Sequence, residues 1–235
     1  MQVSGIDVQV IRKQIKNLHL SVMPPDGKVR VSAPAHLAND RIRAAVSTRL
    51  PWIRKQQREF ADQPRQSERE MVTGETHYFM GKRYRLEVIE RYGKHHITQK
   101  GVRKLLMQVR PGTTTQNRKR LLNEWYRIQL KQRIPALLEK WETKIGVQSN
   151  AWGVKKMKTK WGSCNTSARR VWLNLDLACK PPECLEYIIV HELIHLLERT
   201  HNERFRGYMG EFMPNWRLHR ESLNRSPLGN ADWVY

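Results

Sequence analysis

Apolar and polar positions alternate differently in the two halves of this chain, and the switch of period predicts strands first and helices later. Val8-Gln9-Val10-Ile11 and Leu18-His19-Leu20-Ser21-Val22 show the two-residue period of half-buried strands. Pro24-Pro25-Asp26-Gly27 carries turn chemistry, and Val29 to Ala33 alternates again, so the pair predicts a hairpin. From Ala38 to Phe60 the recurrence becomes helical, with Ile42, Val46 and Ile53 toward a core. The polar stretch Gln63 to Glu70 predicts a linker or exposed loop. Tyr84 to Ile89 and Leu105 to Val109 predict further strands. Pro111-Gly112 and three threonines then break the chain before a long helix, about Gln116 to Ile145. Leu121, Leu122, Trp125, Leu130, Ile134, Leu137, Leu138 and Trp141 give that helix its apolar face. Pro135 inside it predicts a kink or a division in two, because proline removes an N–H and crowds the preceding turn.

Val154 to Met157 and Arg170 to Leu175 predict two strands flanking a turn at Trp161-Gly162-Ser163-Cys164-Asn165. Pro182 to Glu198 reads as one helix that packs near the long one, and Phe205 to Phe212 and Trp216 to Leu223 as two closing helices around Pro214. No internal repeat is visible. The expected fold class is α+β: a β-rich N-terminal subdomain with a helix over residues 1–112, then a second domain over 113–235 with a small sheet and a central helix.

Lysine and arginine number 43 against 22 acidic residues, a net charge of +21 over 235 residues. That excess suits a polyanionic partner, so non-specific DNA or RNA contact is an expectation beside the bland one of a solvated basic surface. Trp125, Trp152 and Trp161 lie near basic residues and suit core packing better than base stacking. Three cysteines, Cys164, Cys179 and Cys184, show no disulfide rhythm and fit a reducing compartment. No apolar run approaches transmembrane length and no signal-like segment follows the start, so a cytoplasmic protein without membrane partners is expected.

The chemistry is concentrated in His191-Glu192-Leu193-Ile194-His195. On a helix, residues four apart share a face, so both imidazoles can address one ion. Glu192, beside them, can take a proton from a water that zinc acidifies to a pKa of about 7, giving a nucleophile for peptide hydrolysis. A catalytic zinc ion usually has three protein ligands. His201 is the best third candidate, with Thr200 or Asn202 available to end one helix and cap the next. Glu198 and Glu203 are rivals, although Glu203 suits the first turn of a helix. Metzincins place a glycine three residues after the second histidine, and here that position is Glu198.

Several further segments point the same way. Lys160-Trp161-Gly162-Ser163-Cys164, Leu173-Asn174, Tyr187 before the histidine motif, His201 with Phe205, and Pro214-Asn215-Trp216 follow in order. Pro25-Asp26-Gly27, Ala33-Pro34, Trp52-Ile53 and Tyr84-Arg85-Leu86 precede them. Together they resemble the YgjP-like metallopeptidases, relatives of the SprT-like and WLM zinc peptidases, over roughly residues 8 to 223. Arg206 departs from the family, which often has an aromatic there. The resemblance implies a zincin-like catalytic domain, a Zn2+ cofactor held by His191, His195 and His201, and Glu192 as general base.

The surrounding residues have roles to be weighed. Arg170 to Asp176 could be a strand edge that adds a substrate peptide, or an interior strand. Trp172 and Asn174 are substrate-binding candidates, against packing for the first and a strand hydrogen bond for the second. Gly162 would permit an unusual backbone. Cys164 could approach the metal or be a small buried thiol. Tyr208 could donate to an oxyanion. The function expected is a zinc-dependent metallopeptidase acting on peptides or proteins. The alternative is a nucleic-acid-associated basic protein with a structural or vestigial zinc site.

Overall fold

The computed structural model describes residues 1–23, 26–62, 69–157 and 160–225. The fold is α+β and divides into two compact units, Met1–Gln66 and Ser67–Ser226.

In the first unit, β1 (Gln2–Val3), β2 (Ile6–Lys13), β3 (His19–Met23) and β4 (Lys28–Pro34) form one sheet in the order β1-β2-β4-β3. The expected hairpin is β3 against β4, and β2 joins β4 in parallel. Alternation along β4 buries Val29, Val31 and Ala33 on one face. Ile42 and Val46 of α1 (Asn39–Thr48) and Ile53 of α2 (Leu50–Asp62) complete that core. The single helix expected over Ala38 to Phe60 is broken at Arg49. Pro51 lacks an N–H and its ring crowds the carbonyl four residues back, which favours a break at this point. The linker expected over Gln63 to Glu70 lies largely outside the described residues, as do Pro24 and Pro25.

The second unit begins with β5 (Thr76–Phe79), β6 (Lys82–Glu90), β7 (His96–Lys100) and β8 (Lys104–Val109), ordered β5-β6-β8-β7. This is the plan of the first sheet again. The inner pair is parallel and the outer strands antiparallel in both. The first hairpin of each turns on two positive-φ residues, Ser4 and Gly5 in one and Met80 and Gly81 in the other. Buried Leu105, Met107 and Val109 of β8 stand where β4 has Val29, Val31 and Ala33. The chain therefore contains a structural repeat that its sequence does not announce. Strand pairing needs only alternation and turn residues, which two unrelated-looking segments can share.

α3 (Thr115–Ile145) is capped by Thr114, whose hydroxyl accepts from Asn117 N at 3.3 Å, and ends at Gly146 in the left-handed region. It continues through Pro135 undivided. The division expected at residue 112 falls within the second unit, between β8 and α3. The third sheet holds β9 (Ala151–Lys155), β10 (Gly162–Asn165) and β11 (Arg170–Asn174) in the order β10-β11-β9. The segment Gly162–Asn165, expected as a turn, is a strand. Of the two roles open to Arg170–Asp176, β11 takes the interior one, bonded on both sides, and among the described residues β10 is paired on one side only.

A short 3-10 helix (Leu175–Cys179) leads into α4 (Pro182–Ile194), followed by α5 (Glu203–Phe212) and α6 (Trp216–Arg225). The β5–β6 hairpin tip is docked at the entrance to α4. Met80 N donates to Ala178 O at 2.8 Å, and a Cβ on Gly81 would stand 3.0 Å from Pro181. α4 packs on α3, as the apolar faces predict. Among the described residues no helix is long and apolar enough to cross a membrane.

Candidate metal centre

Pro182 opens α4 at its first position, where a missing N–H costs nothing, and Glu183 complements the helix dipole. From Cys184 to Ile194 nearly every residue of α4 is buried, among them His191 and Glu192. The helix ends at Ile194, four residues short of expectation, so His195 is its C-cap. The chain then reverses. Asn202 accepts from Phe205 N at 3.0 Å and starts α5, while Thr200 instead donates to Glu198 Oε1. That reversal brings His201 back to α4.

The Nε2 atom of His201 lies 2.9 Å from that of His191 and 3.1 Å from that of His195. Zinc–nitrogen bonds of about 2.0–2.1 Å in a tetrahedron imply nitrogen separations of about 3.3 Å, so the donor spacing fits such an ion within a few tenths of an ångström. Phe205 lies beside all three rings, with centroids 4.8–4.9 Å away. His195 Nδ1 donates to the Glu198 carbonyl at 3.1 Å, which fixes the tautomer and leaves Nε2 with its lone pair inward. Burial, reinforced by the neighbouring His195 and His201 and by Arg220, brings His191 down to about 3. Burial also lowers His195 and His201. Three neutral imidazoles at neutral pH are the donor set a divalent metal requires. Among the described residues they form the one group of His, Cys, Asp and Glu close enough to share an ion.

Glu192 is 2% exposed, and burial pushes its carboxyl up to about 8 against the pull of Lys160 and of the Cys164 N–H. Gly162 closes over it: a Cβ there would meet Glu192 Oε1 at 2.5 Å and Cγ at 2.7 Å. Gly162 is absent from the positive-φ glycines, so its role is space rather than unusual backbone. Sequence spacing could not reveal this, because the two residues are joined only by the packing of β10 on α4.

The other candidates separate. Gly162 pairs with Leu173, so those two share a face with α4, and Trp172 points to the opposite face. There its ring lies over Gly153 and under the Lys155 ammonium, 4.6 Å away. Asn174 is fully buried, and its amide donates to Met157 O at 3.1 Å and Lys160 O at 2.6 Å while Oδ1 accepts from Asp176 N at 3.1 Å. It shapes the segment entering β10 and has no contact with the histidines. Trp161 is buried beneath Lys180, as a packing anchor. Cys164 is half-buried, and burial and Glu192 raise its thiol to about 11, so it is an unreactive thiol. The Tyr208 hydroxyl accepts from Arg204 at 3.1 and 3.2 Å. Glu203 is exposed in the first turn of α5.

A family model described as YgjP-like, metallopeptidase domain, matches residues 16–226. No curated protein matches the chain. Among solved structures, the metallopeptidase zymogen abylysin of Pyrococcus abyssi is similar at 23% identity and a TM-score of 0.35, over 39% of this chain and 90% of that one. The zymogen jannalysin of Methanocaldococcus jannaschii is similar at 22% identity and a TM-score of 0.35, over 38% and 92%.

Proposed function

Since the chain belongs to the YgjP-like metallopeptidase family, we propose that it is a zinc-dependent peptidase with His191, His195 and His201 as metal ligands and Glu192 as general base. The observation that carries this is the convergence of three Nε2 atoms beside a buried glutamate. Bound zinc would supply Lewis acidity, polarising the scissile carbonyl and acidifying a water. Glu192 takes the proton of the attacking water and delivers it to the leaving amine. Its raised pKa suits the delivery, and a nearby dication favours the charged form needed to accept it. Gly162 and the Cys164 N–H hold the carboxylate in place from the sheet side. The edge of β10 that is unpaired among the described residues, rather than β11, is the strand to which an extended substrate would add by main-chain hydrogen bonds.

The test is metal content by elemental mass spectrometry alongside turnover of unstructured protein substrates. About one zinc per chain is expected, sharply reduced in His201→Ala, with Glu192→Gln retaining zinc and losing turnover. Hydrolysis that survives Glu192→Gln would sink the mechanism. The net charge of +21 supports a second reading, salt-dependent nucleic-acid contact. A titration with single- and double-stranded DNA and RNA at low salt that detects no binding would remove it.

A further inference from the structure

Four cations stand on one face of the sheet β5-β6-β8-β7, and strand register sets three of them in a single row. The opposite face is the buried one. It carries Phe79, Leu86, Leu105 and Met107, and the Phe79 ring lies 4.7 Å from Trp125 of α3. Alternation along each strand sends the intervening residues outward. Cross-strand partners share a face, so Arg85 of β6 stands beside Lys104 of β8, and Lys104 beside Lys100 of β7. Neighbouring strands are about 4.8 Å apart, so the row crosses three strands within about 10 Å of backbone. Arg83, one alternation back along β6, joins them, with its guanidinium 5.9 Å from the centre of the Tyr78 ring on β5. All four cations are exposed.

The fold gains nothing from this row, because like charges directly opposite each other weaken a sheet. Within these four strands the outer face carries one carboxylate, Glu87, which is 3.7 Å from Lys104 Nζ with both side chains partly in water. Arg85 and Lys100 have no acidic partner among the described residues. Arg85 runs over Gly74, where a Cβ would stand 3.5 Å from its Nη2. Thr76 lies beside Arg85 and Thr98 lies one alternation from Lys100, so hydroxyls of the kind that contact phosphate and sugar border the row. The centre of the face holds Thr98 and half-buried Leu106, and no apolar side chain protrudes there to enter a bilayer. A sheet face of this width suits a flexible strand laid along it, whose bases can turn onto an aromatic ring or a guanidinium plane such as Tyr78 and Arg83 offer.

We propose that the outer face of the β5-β6-β8-β7 sheet binds single-stranded nucleic acid, with its phosphates along the Arg85, Lys104 and Lys100 row. Such binding rests on the nucleic-acid contact that the net charge supports, and it needs no peptidase activity.

The experiment follows labelled single strands of about 12 nucleotides by fluorescence anisotropy against the full chain, over a range of salt. DNA and RNA strands of one sequence should respond alike, since the row meets phosphates, which both carry. Replacing Arg85, Lys100 and Lys104 together by Gln should weaken binding about 30-fold at low salt and lower the slope of log affinity against log salt by about 2. The control replaces three exposed cations of the first unit, Lys16, Arg41 and Arg43, by Gln, and removes the same net charge. It should leave affinity and slope within about twofold of wild type. Thermal unfolding checks the fold of each variant. Should the triple variant fail to fold, Lys100→Gln alone should lower the slope by about 0.7. Equal losses in the two triple variants would overturn the proposal while nucleic-acid contact stands. No binding by the wild type at low salt would remove both. Tighter binding of the duplex, or of vesicles containing phosphatidylserine, lost with the same three residues, would overturn the choice of partner and with it the proposal.

Discussion

Replacing Gly162 by alanine tests the proposed mechanism without touching a titratable group. The added methyl would stand 2.5 Å from Glu192 Oε1, 2.7 Å from Cγ and 2.8 Å from Cδ. Carbon contacts are comfortable at about 3.5–4.0 Å, so the carboxylate or the strand must give way by about 1 Å. Glu192 is 2% exposed, so its carboxylate cannot simply swing out into solvent. Overpacking of this kind costs about 1–3 kcal/mol of stability. A displacement of about 1 Å in a reacting group costs on the order of 100-fold in rate, about 2.7 kcal/mol. Gly162→Ala should therefore bind about one zinc per chain and lose about 100-fold in kcat. The assay is turnover per zinc-loaded molecule, with metal content and thermal unfolding measured on the same preparation. Gly153→Ala is the control, since its methyl would meet Trp172 at 2.4 Å on the opposite face of the sheet. It should lose stability and keep kcat. Wild-type turnover in a folded Gly162→Ala protein would refute the claim that this glycine positions the base.

Asn174→Ala would strand the Lys160 and Met157 carbonyls and the Asp176 N–H, lowering stability by about 2–4 kcal/mol in denaturant titrations. A loss below about 0.5 kcal/mol would contradict its structural role. In the metal-free protein the pH dependence has two arms of opposite sign. His191, lowered to about 3 by burial, contributes stability present above its unfolded value of 6.5 and lost as pH falls toward 3. Glu192, raised to about 8, contributes stability present below 4.5 and lost as pH rises through 8, at up to ~1.4 kcal/mol per pH unit. Thermal melts of metal-free protein should therefore fall from pH 6.5 to 8, and Glu192→Gln should flatten that arm; an unchanged slope would refute the assignment. Chelation of the loaded protein should lower Tm in proportion to the logarithm of free metal, and a Tm indifferent to chelator would argue against a site formed only in the folded state.

Much of the site is legible in one dimension because a helix converts spacing into direction. Residues 191 and 195 share a face in any α-helix, and α4 forms where prolines, first-turn acid and apolar recurrence predict it. Asn202 as the start of α5 was likewise one of two caps the residues allowed. The strand pattern in β2, β4, β6, β8 and β11, the long α3 and the α+β class follow from periodicity alone.

What periodicity cannot carry is which strand neighbours which. Gly162-Ser163-Cys164-Asn165 has no apolar alternation, so nothing in its pattern predicts β10, yet it becomes a strand by bonding to β11. That pairing makes β11 interior and leaves β10 at an edge among the described residues, turns Trp172 away from the histidines and sets Gly162 against Glu192. The repeat of the two four-stranded sheets is hidden for the same reason. The sequence by itself determined the histidine and glutamate residues of the candidate site, the helical spacing of residues 191 and 195 and the excess of positive charge. The tertiary structure alone decided how His201 returns to α4, what holds Glu192 and which face of the sheet Trp172 takes, because these depend on contacts between segments far apart in the chain, and local propensity holds no information about such contacts.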